Sequence, residues 1–193
     1  MIIWYIFIGV LLSICNTFMI RKMNFKNYIY YALGAGVLNA VYVIGTLLIS
    51  PIKIINIFEL FSINMLMYLA VCDINEGEMY VVAFAVYAVI GVIASFFGSF
   101  VPVIVFSLIV FGVLFLMQRK SKSGMGMGDV YAISCMSLFC NISEAMSIVM
   151  FSLLLSLIYG LLYSLFKRVS GKTVMIKYVP FLFVVTYLMK LFY

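Results

Sequence analysis

Long apolar runs joined by short loops constrain this chain more than any other feature. A helix needs about 20 apolar residues to cross a bilayer, and we count eight candidates, at roughly 1–20, 28–50, 54–72, 79–97, 100–117, 129–143, 145–166 and 174–193. Only 9% of the residues are charged, against roughly 25% in soluble domains. Because the apolar runs are continuous rather than alternating, a β-barrel is excluded. The sequence predicts an all-α, polytopic transmembrane bundle of about eight helices, with residues 1–193 in a single domain.

Basic residues fall almost entirely on one side of this predicted bundle. Ten of the 12 lysines and arginines follow the first, fifth and seventh helices, and only Lys53 and Lys190 lie on the other side. The positive-inside rule then puts both termini outside and the basic loops in the cytoplasm. The net charge of +6 therefore indicates orientation in membrane lipid, and no nucleic-acid partner is expected.

The residue types that the sequence lacks exclude several kinds of catalytic and metal site. The chain contains no histidine, and its four cysteines match no zinc-ribbon or CxxC spacing. Ser-His-Asp triads and most zinc protease sites are thereby excluded, and we expect neither a metal nor a cofactor. The remaining candidates are the six acids, namely Glu59, Asp73, Glu76, Glu78, Asp129 and Glu144.

Two of these acids are predicted at the cytoplasmic membrane face. Asp73 ends the third helix, where the helix dipole favours the protonated carboxyl group, and Asp129 opens the sixth helix, where the dipole favours the ionised one. Two carboxyl groups in opposed environments suit an aspartic protease, in which one takes a proton from water and the other polarises a carbonyl group. Alternatively, Asp129 is a plain N-cap and Asp73 is a solvated loop residue.

The other acids have less specific interpretations. Glu76 and Glu78 share the cytoplasmic loop "CDINEGEM" and are either solvated or available to bind a basic peptide substrate. Glu144 is predicted to lie in a turn at the opposite face of the membrane. Glu59, inside the third helix, makes either a polar packing contact or a structural contribution near the site.

The sixth helix is predicted to be short. Its roughly 15 apolar residues would extend about 22 Å, less than the roughly 30 Å hydrocarbon core. We therefore expect the glycine loop before it to dip toward the bilayer and recess Asp129.

Four stretches together resemble one family. In chain order they are "SICNTFMIR" (13–21), "VCDIN" (71–75), "GMGD" (126–129) and "KYVPFLF" (177–183). They resemble the type IV prepilin peptidases, membrane aspartic proteases of the GxGD class, and the resemblance covers nearly the whole chain. It implies that Asp73 and Asp129 form the catalytic dyad, and that Gly126 and Gly128 let the loop backbone approach the substrate.

The resemblance also implies a reaction and a location. The reaction is removal of a short basic leader from prepilin-like or pseudopilin proteins of type IV pilus or protein-secretion systems. It would take place at the cytoplasmic face of the bacterial cell membrane. Bifunctional members carry a cysteine-rich domain, associated with N-methylation, between the first two helices. Here only "KMNFKN" joins those helices, so the resemblance is to a short, peptidase-only form.

Two departures from the family pattern motivate other hypotheses. Met79 and Tyr80 stand where the family usually has Ile-Pro, and Tyr131 stands where it usually has lysine. The second hypothesis is a non-catalytic, peptidase-like protein that binds prepilins or assembly partners. The third is a small transporter with an acidic proton relay, which the lack of internal repeats and the placement of both aspartates at one face disfavour.

Overall fold

Eight helices account for nearly all of the chain that the structure, a computed structural model, describes, namely residues 2–22, 28–49, 54–75, 80–97, 100–120, 126–167 and 176–192. In chain order they are α1 (Ile2–Lys22), α2 (Tyr28–Ile49), α3 (Ile54–Asn75), α4 (Val81–Ser95), α5 (Phe100–Lys120), α6 (Met127–Ser137), α7 (Ile142–Lys167) and α8 (Val179–Phe192). The predicted all-α membrane bundle of about eight helices is confirmed.

Helix α3 lies at the centre of the bundle. Three stretches are long and apolar enough to cross a membrane, namely Asn56–Asn75, Val101–Lys120 and Ile142–Phe166. The apolar part of the stretch in α3 is 72% buried inside the bundle, whereas the apolar parts of the stretches in α5 and α7 are only 11% and 17% buried. Helices α5 and α7 therefore present apolar side chains outward, which a hydrocarbon surrounding accommodates. The chain is a helical membrane protein.

A network of buried amides joins α1 and α2 to α3. Asn16 Nδ2 and Asn39 Nδ2 each donate to Asn64 Oδ1 at 2.8 Å, and Asn64 Nδ2 donates to Asn39 Oδ1 at 2.9 Å. Asn39 Nδ2 also donates to Ser13 Oγ at 2.6 Å. Because a polar group in an apolar interior must be paired, such amides hold membrane helices together. Ser13 and Asn16, from the first stretch of the resemblance, thus contribute to helix packing.

Helix α6 is shorter than the sequence predicts. Its 11 residues, Met127–Ser137, extend about 17 Å. Residues 130 and 132–137 are buried, so packing holds it on nearly all sides. The turn after it packs tightly on α4, where the Gly91 α-carbon faces Leu138 and Phe139.

One end of the bundle carries a largely buried ion cluster, which we call the lysine end and define by Lys190, Glu59 and Glu144. Lys190 Nζ lies 2.8 Å from Glu59 Oε1 and 2.8 Å from Glu144 Oε1. It also donates to the carbonyl oxygen of Phe139 at 3.2 Å. About four turns of α3, or about 21 Å, separate Glu59 from Asp73. The alternative that Glu59 contributes near the aspartates is therefore wrong, and its contact is a packing ion pair between α3 and α8.

Candidate active site

Asp73 lies in the last turn of α3, at the end of the bundle opposite the lysine end. The helix continues to Asn75, so Asp73 is a helical residue rather than the solvated loop residue of the alternative interpretation. Its side chain is only 7% exposed. No described residue donates a hydrogen bond to the buried Oδ2 atom of Asp73. That oxygen keeps its full capacity to share a proton or accept a hydrogen bond from a reactant.

Asp129 is the third residue of α6, and Gly126 is the N-cap. The backbone N–H of Gly126 donates to Asp129 Oδ2 at 3.2 Å. A carboxylate at this position that reaches back to the N-cap N–H satisfies one of the donors that a helix start leaves unpaired. Asp129 is therefore not a plain N-cap. Its side chain is held by the loop that precedes its own helix.

Gly126 has an ordinary extended backbone, with φ −70° and ψ 151°, which any residue can adopt. A Cβ atom on Gly126 would lie 3.4 Å from Asp129 Oδ2. What glycine provides at this position is therefore open space beside the carboxyl group rather than an unusual backbone conformation.

One cavity of about 280 Å³ contains both aspartates. It is lined by Asp73, Val81, Phe84, Gly126, Met127, Gly128, Asp129 and Tyr131. The structure thus brings together Asp73, Asp129 and both glycines of the predicted site. Glu76 and Glu78, predicted to bind substrate, lie outside the described residues. Among the residues that the structure does describe, no group of three metal-ligating side chains occurs.

The pKa of Asp129 moves in the direction opposite to the helix dipole. Asp129 lies in the first turn of α6, which is not among the three stretches long and apolar enough to cross a membrane. Burial, and after it the negative charge of Asp73, raises its pKa from 3.8 to about 6, although the hydrogen bond from Gly126 opposes the rise. The dipole at a helix start contributes less than burial of the charged form does. At a pH near or below about 6 the two carboxyl groups can therefore hold one proton between them.

Asp73 is contacted by the segment that begins α8. Lys177 Nζ donates to the backbone carbonyl oxygen of Asp73 and, at 2.9 Å, to that of Ile74. The backbone N–H of Val179 hydrogen-bonds to the Asp73 carboxyl group. A cation and a helix start therefore both lie at the negative end of α3. Position along the chain indicates the dipole of α3 but not these neighbours, which come from a segment distant in the sequence.

The sequence gives only weak indications that Lys177 belongs to the site. It was counted among the basic residues that orient the chain, and it opens the stretch "KYVPFLF" of the family resemblance. Neither observation pairs it with the end of α3, because that contact joins residues more than 100 positions apart.

Aromatic side chains form one wall of the cavity. The ring of Tyr131 lies 5.4 Å from that of Phe84 and 5.9 Å from that of Phe111, the second pair being stacked. Tyr131 stands where the resembling family usually has lysine. Its position between two phenylalanines explains why an aromatic residue fits there, since such pairs add to the energy of burial.

The fold and the cavity define a class, helical membrane proteins that hold two carboxyl groups together at one end of the bundle. The model of the Type IV leader peptidase family matches residues 60–165, which is more than half of the chain and includes both aspartates. The chain belongs to the Type IV leader peptidase family, and this membership indicates a peptidase of the prepilin type. No curated protein matches the chain, and no solved structure matches it.

Proposed function

We propose that this protein is an aspartic endopeptidase that removes the short basic leader of prepilin-like or pseudopilin proteins. One observation carries the proposal: Asp73 and Asp129 line the same cavity, and both lie within the part of the chain that matches the family. Paired carboxyl groups can activate water without a metal or a histidine.

The mechanism uses one proton shared by the pair. The ionised carboxylate takes a proton from water, whose oxygen attacks the carbonyl carbon of the scissile bond. The protonated partner polarises the carbonyl oxygen and gives it the proton. When the tetrahedral intermediate collapses, the C–N bond breaks and the leaving nitrogen receives the proton that was taken from water. One hydroxyl proton of the intermediate returns to the other carboxylate, which restores the singly protonated pair. The pKa of about 6 at Asp129 supports a singly protonated pair, whose titration belongs to both groups together.

The location of the cavity suits a substrate anchored in the membrane. Asp73 lies at the end of α3 and Asp129 at the start of α6, so a peptide bond just outside a hydrophobic helix could reach both. The basic residues Arg119 and Lys120 end α5. By the positive-inside rule, this supports a cytoplasmic active site with both chain termini outside.

We include Glu76 and Glu78 in the proposal as residues that attract the leader. They follow Asp73 within a few positions of the chain, and a basic leader is complementary to their charge. Replacing both by glutamine should raise KM for a substrate with several lysines more than for one whose leader has few.

The test is leader cleavage of a co-expressed prepilin-like substrate in membranes, detected as a mobility shift. The parent protein is compared with Asp73→Asn and Asp129→Asn at matched expression. Glu144→Gln, an acid at the lysine end, serves as the matched control. We expect cleavage by the parent and the control and none by the two aspartate variants, since neither asparagine can exchange the catalytic proton. Cleavage that survives either aspartate substitution rejects the dyad.

The same experiment distinguishes the proposed peptidase from the alternative, a non-catalytic protein that binds prepilins. That alternative predicts no cleavage by the parent across several leaders. It also predicts unchanged co-purification of the substrate with the Asp73→Asn and Asp129→Asn variants. Prepilin-like proteins are the partner class in both cases, so the aspartates decide between them.

A further inference from the structure

The end of α3 needs partners that its own helix cannot supply. The last four carbonyl groups of any helix receive no hydrogen bond from an N–H group of the same helix. In α3 these include the carbonyl groups of Asp73 and Ile74. Lys177 Nζ donates to both of them. A cation at this position also offsets the negative end of the helix dipole. Lys177 thus binds the backbone of the residue whose side chain enters the cavity.

The segment that carries Lys177 is itself fixed on both sides. The next residue, Tyr178, is 5% exposed, and its hydroxyl group shares a hydrogen bond with that of Ser152 on α7. The backbone carbonyl of Tyr178 accepts from the N–H groups of Phe181 and Leu182 at 3.0 and 3.2 Å, which starts α8. Lys177 therefore reaches α3 from a segment that α7 and α8 hold in place.

We propose that Lys177 is a positioning residue for Asp73, which it holds in the cavity by binding the last carbonyl groups of α3. This inference rests on the proposed leader-peptidase function and adds a residue to its machinery. Lys177 touches the backbone of Asp73 rather than the reacting atoms. Its loss should therefore affect the chemical step more than substrate binding, because a small displacement of a catalytic group lowers the rate strongly.

The first measurement is steady-state cleavage by Lys177→Met and Lys177→Arg. Methionine keeps an unbranched stem but removes the donors, and we expect kcat to fall about 10- to 100-fold with KM within about threefold of the parent. Arginine keeps the charge and the donors and should stay within about threefold of the parent kcat. Lys120→Met, which removes an exposed cation at the end of α5, is the matched control and should behave as the parent.

Several results would overturn the inference. One is a parent-like kcat in Lys177→Met, and another is an effect on KM alone. Failure of arginine to restore kcat would do the same. If the methionine variant does not accumulate in the membrane, Lys177→Gln replaces it, because the amide can donate to only part of the carbonyl pair. We expect the glutamine variant to lose at least about threefold in kcat, and a parent-like value overturns the inference.

A second measurement does not depend on peptidase activity. Hydrogen–deuterium exchange of the amides in residues 70–75 should be at least about threefold faster in Lys177→Met than in the parent, since the end of α3 loses its cap. Unchanged exchange overturns the inference even if cleavage falls. If the parent protein cleaves no leader at all, the proposed function fails, and exchange alone then decides whether Lys177 holds the end of α3.

Discussion

Asp73, in the last turn of α3, and Asp129, in the first turn of α6, line one cavity although they are far apart in the sequence. The charge of Asp73 contributes to the raised pKa of Asp129, so the pair is coupled electrostatically as well as adjacent. A pair of this kind responds to pH and to substitution in ways that a solvated carboxylate does not.

The first prediction concerns the pH dependence of cleavage. We expect kcat/KM to fall as pH rises through about 6, where Asp129 loses its proton and the pair no longer holds the one that it needs. A pH–rate profile of leader cleavage in membranes measures this alkaline limb. Its apparent pKa belongs to the pair rather than to one residue.

Variants of Gly126 test the origin of that limb. The φ of −70° at Gly126 suits proline, which has no N–H group, whereas alanine keeps the donor. Because the Gly126 N–H lowers the pKa of Asp129, the limb of Gly126→Pro should lie at higher pH than that of Gly126→Ala. Both variants add a Cβ atom, so this addition cannot explain a difference between them. Alkaline limbs at the same pH would contradict the hydrogen bond from the Gly126 N–H to Asp129.

The second prediction concerns stability. The pKa of Asp129 is raised in the folded protein, so the folded state binds this proton more tightly than the unfolded state does. Its contribution to stability is therefore present at low pH and is lost as pH rises from about 4 through about 6. At about pH 7.5 we therefore expect Asp129→Asn to unfold at a higher temperature than the parent. Its free energy of unfolding should exceed that of the parent by no more than about 3 kcal/mol.

Scanning calorimetry of the detergent-solubilised proteins measures this difference. At about pH 3, below both pKa values, the two proteins should unfold at nearly the same temperature, because the carboxyl group is then mostly protonated in both states. A variant that is less stable than the parent at about pH 7.5 would show that the Asp129 carboxylate is not under strain in its cavity.

The third prediction concerns the lysine end. Lys190→Met leaves Glu59 and Glu144 facing each other without their cation. Breaking a fully buried ion pair in this way costs about 3–5 kcal/mol, and we expect no more than this here, because the cluster is partly exposed. Glu59→Gln should change stability little, since it leaves the pair between Lys190 and Glu144 intact at 2.8 Å and cancels the extra negative charge. Equal destabilisation by the two variants would argue against this charge balance.

Buried thiols provide the measurement for the lysine end. The thiols of Cys72, Cys135 and Cys140 are buried, so a thiol-reactive fluorophore that labels them reports unfolding on heating. The unfolding temperature of Lys190→Met should fall by roughly 2–4 °C per kcal/mol of lost stability. Leader cleavage by the surviving folded fraction should remain, because the cluster lies about 21 Å from Asp73 along α3.

The fourth prediction concerns two helical glycines. A Cβ atom at Gly91 of α4 would lie 2.8 Å from Leu138 Cβ and 2.9 Å from Phe139 Cε2, whereas one at Gly112 of α5 would meet no described atom within 4 Å. Gly91→Ala should therefore destabilise the protein by about 1–3 kcal/mol. Gly112→Ala should be neutral or stabilising by up to about 1 kcal/mol, as expected when alanine replaces glycine in a helix.

The fluorophore assay compares these two alanine variants directly. They differ only in what surrounds the added methyl group. An unfolding temperature of Gly91→Ala equal to that of Gly112→Ala would mean that the turn at Leu138 and Phe139 can move away from α4.

Local features allowed much of the fold to be predicted. Hydropathy runs located all eight helices, but their ends differ from the predicted ones by up to six residues. Helix α3 continues to Asn75 because polar residues can finish a helix whose apolar run has ended. Helix α6 begins at Met127, since its N-cap is set by the hydrogen bond between Gly126 and Asp129 rather than by where the apolar residues start.

The sequence by itself determined that the chain is a helical membrane protein, and it singled out Asp73 and Asp129 as the acids to examine. These follow from composition, apolar length and short motifs, which are properties of neighbouring residues. The tertiary structure alone decided that Lys177 binds the end of α3 and that Lys190 joins Glu59 to Glu144. It also decided that the pKa of Asp129 rises, because burial and the charge of a distant residue act through space, whereas the helix dipole is fixed by position along the chain.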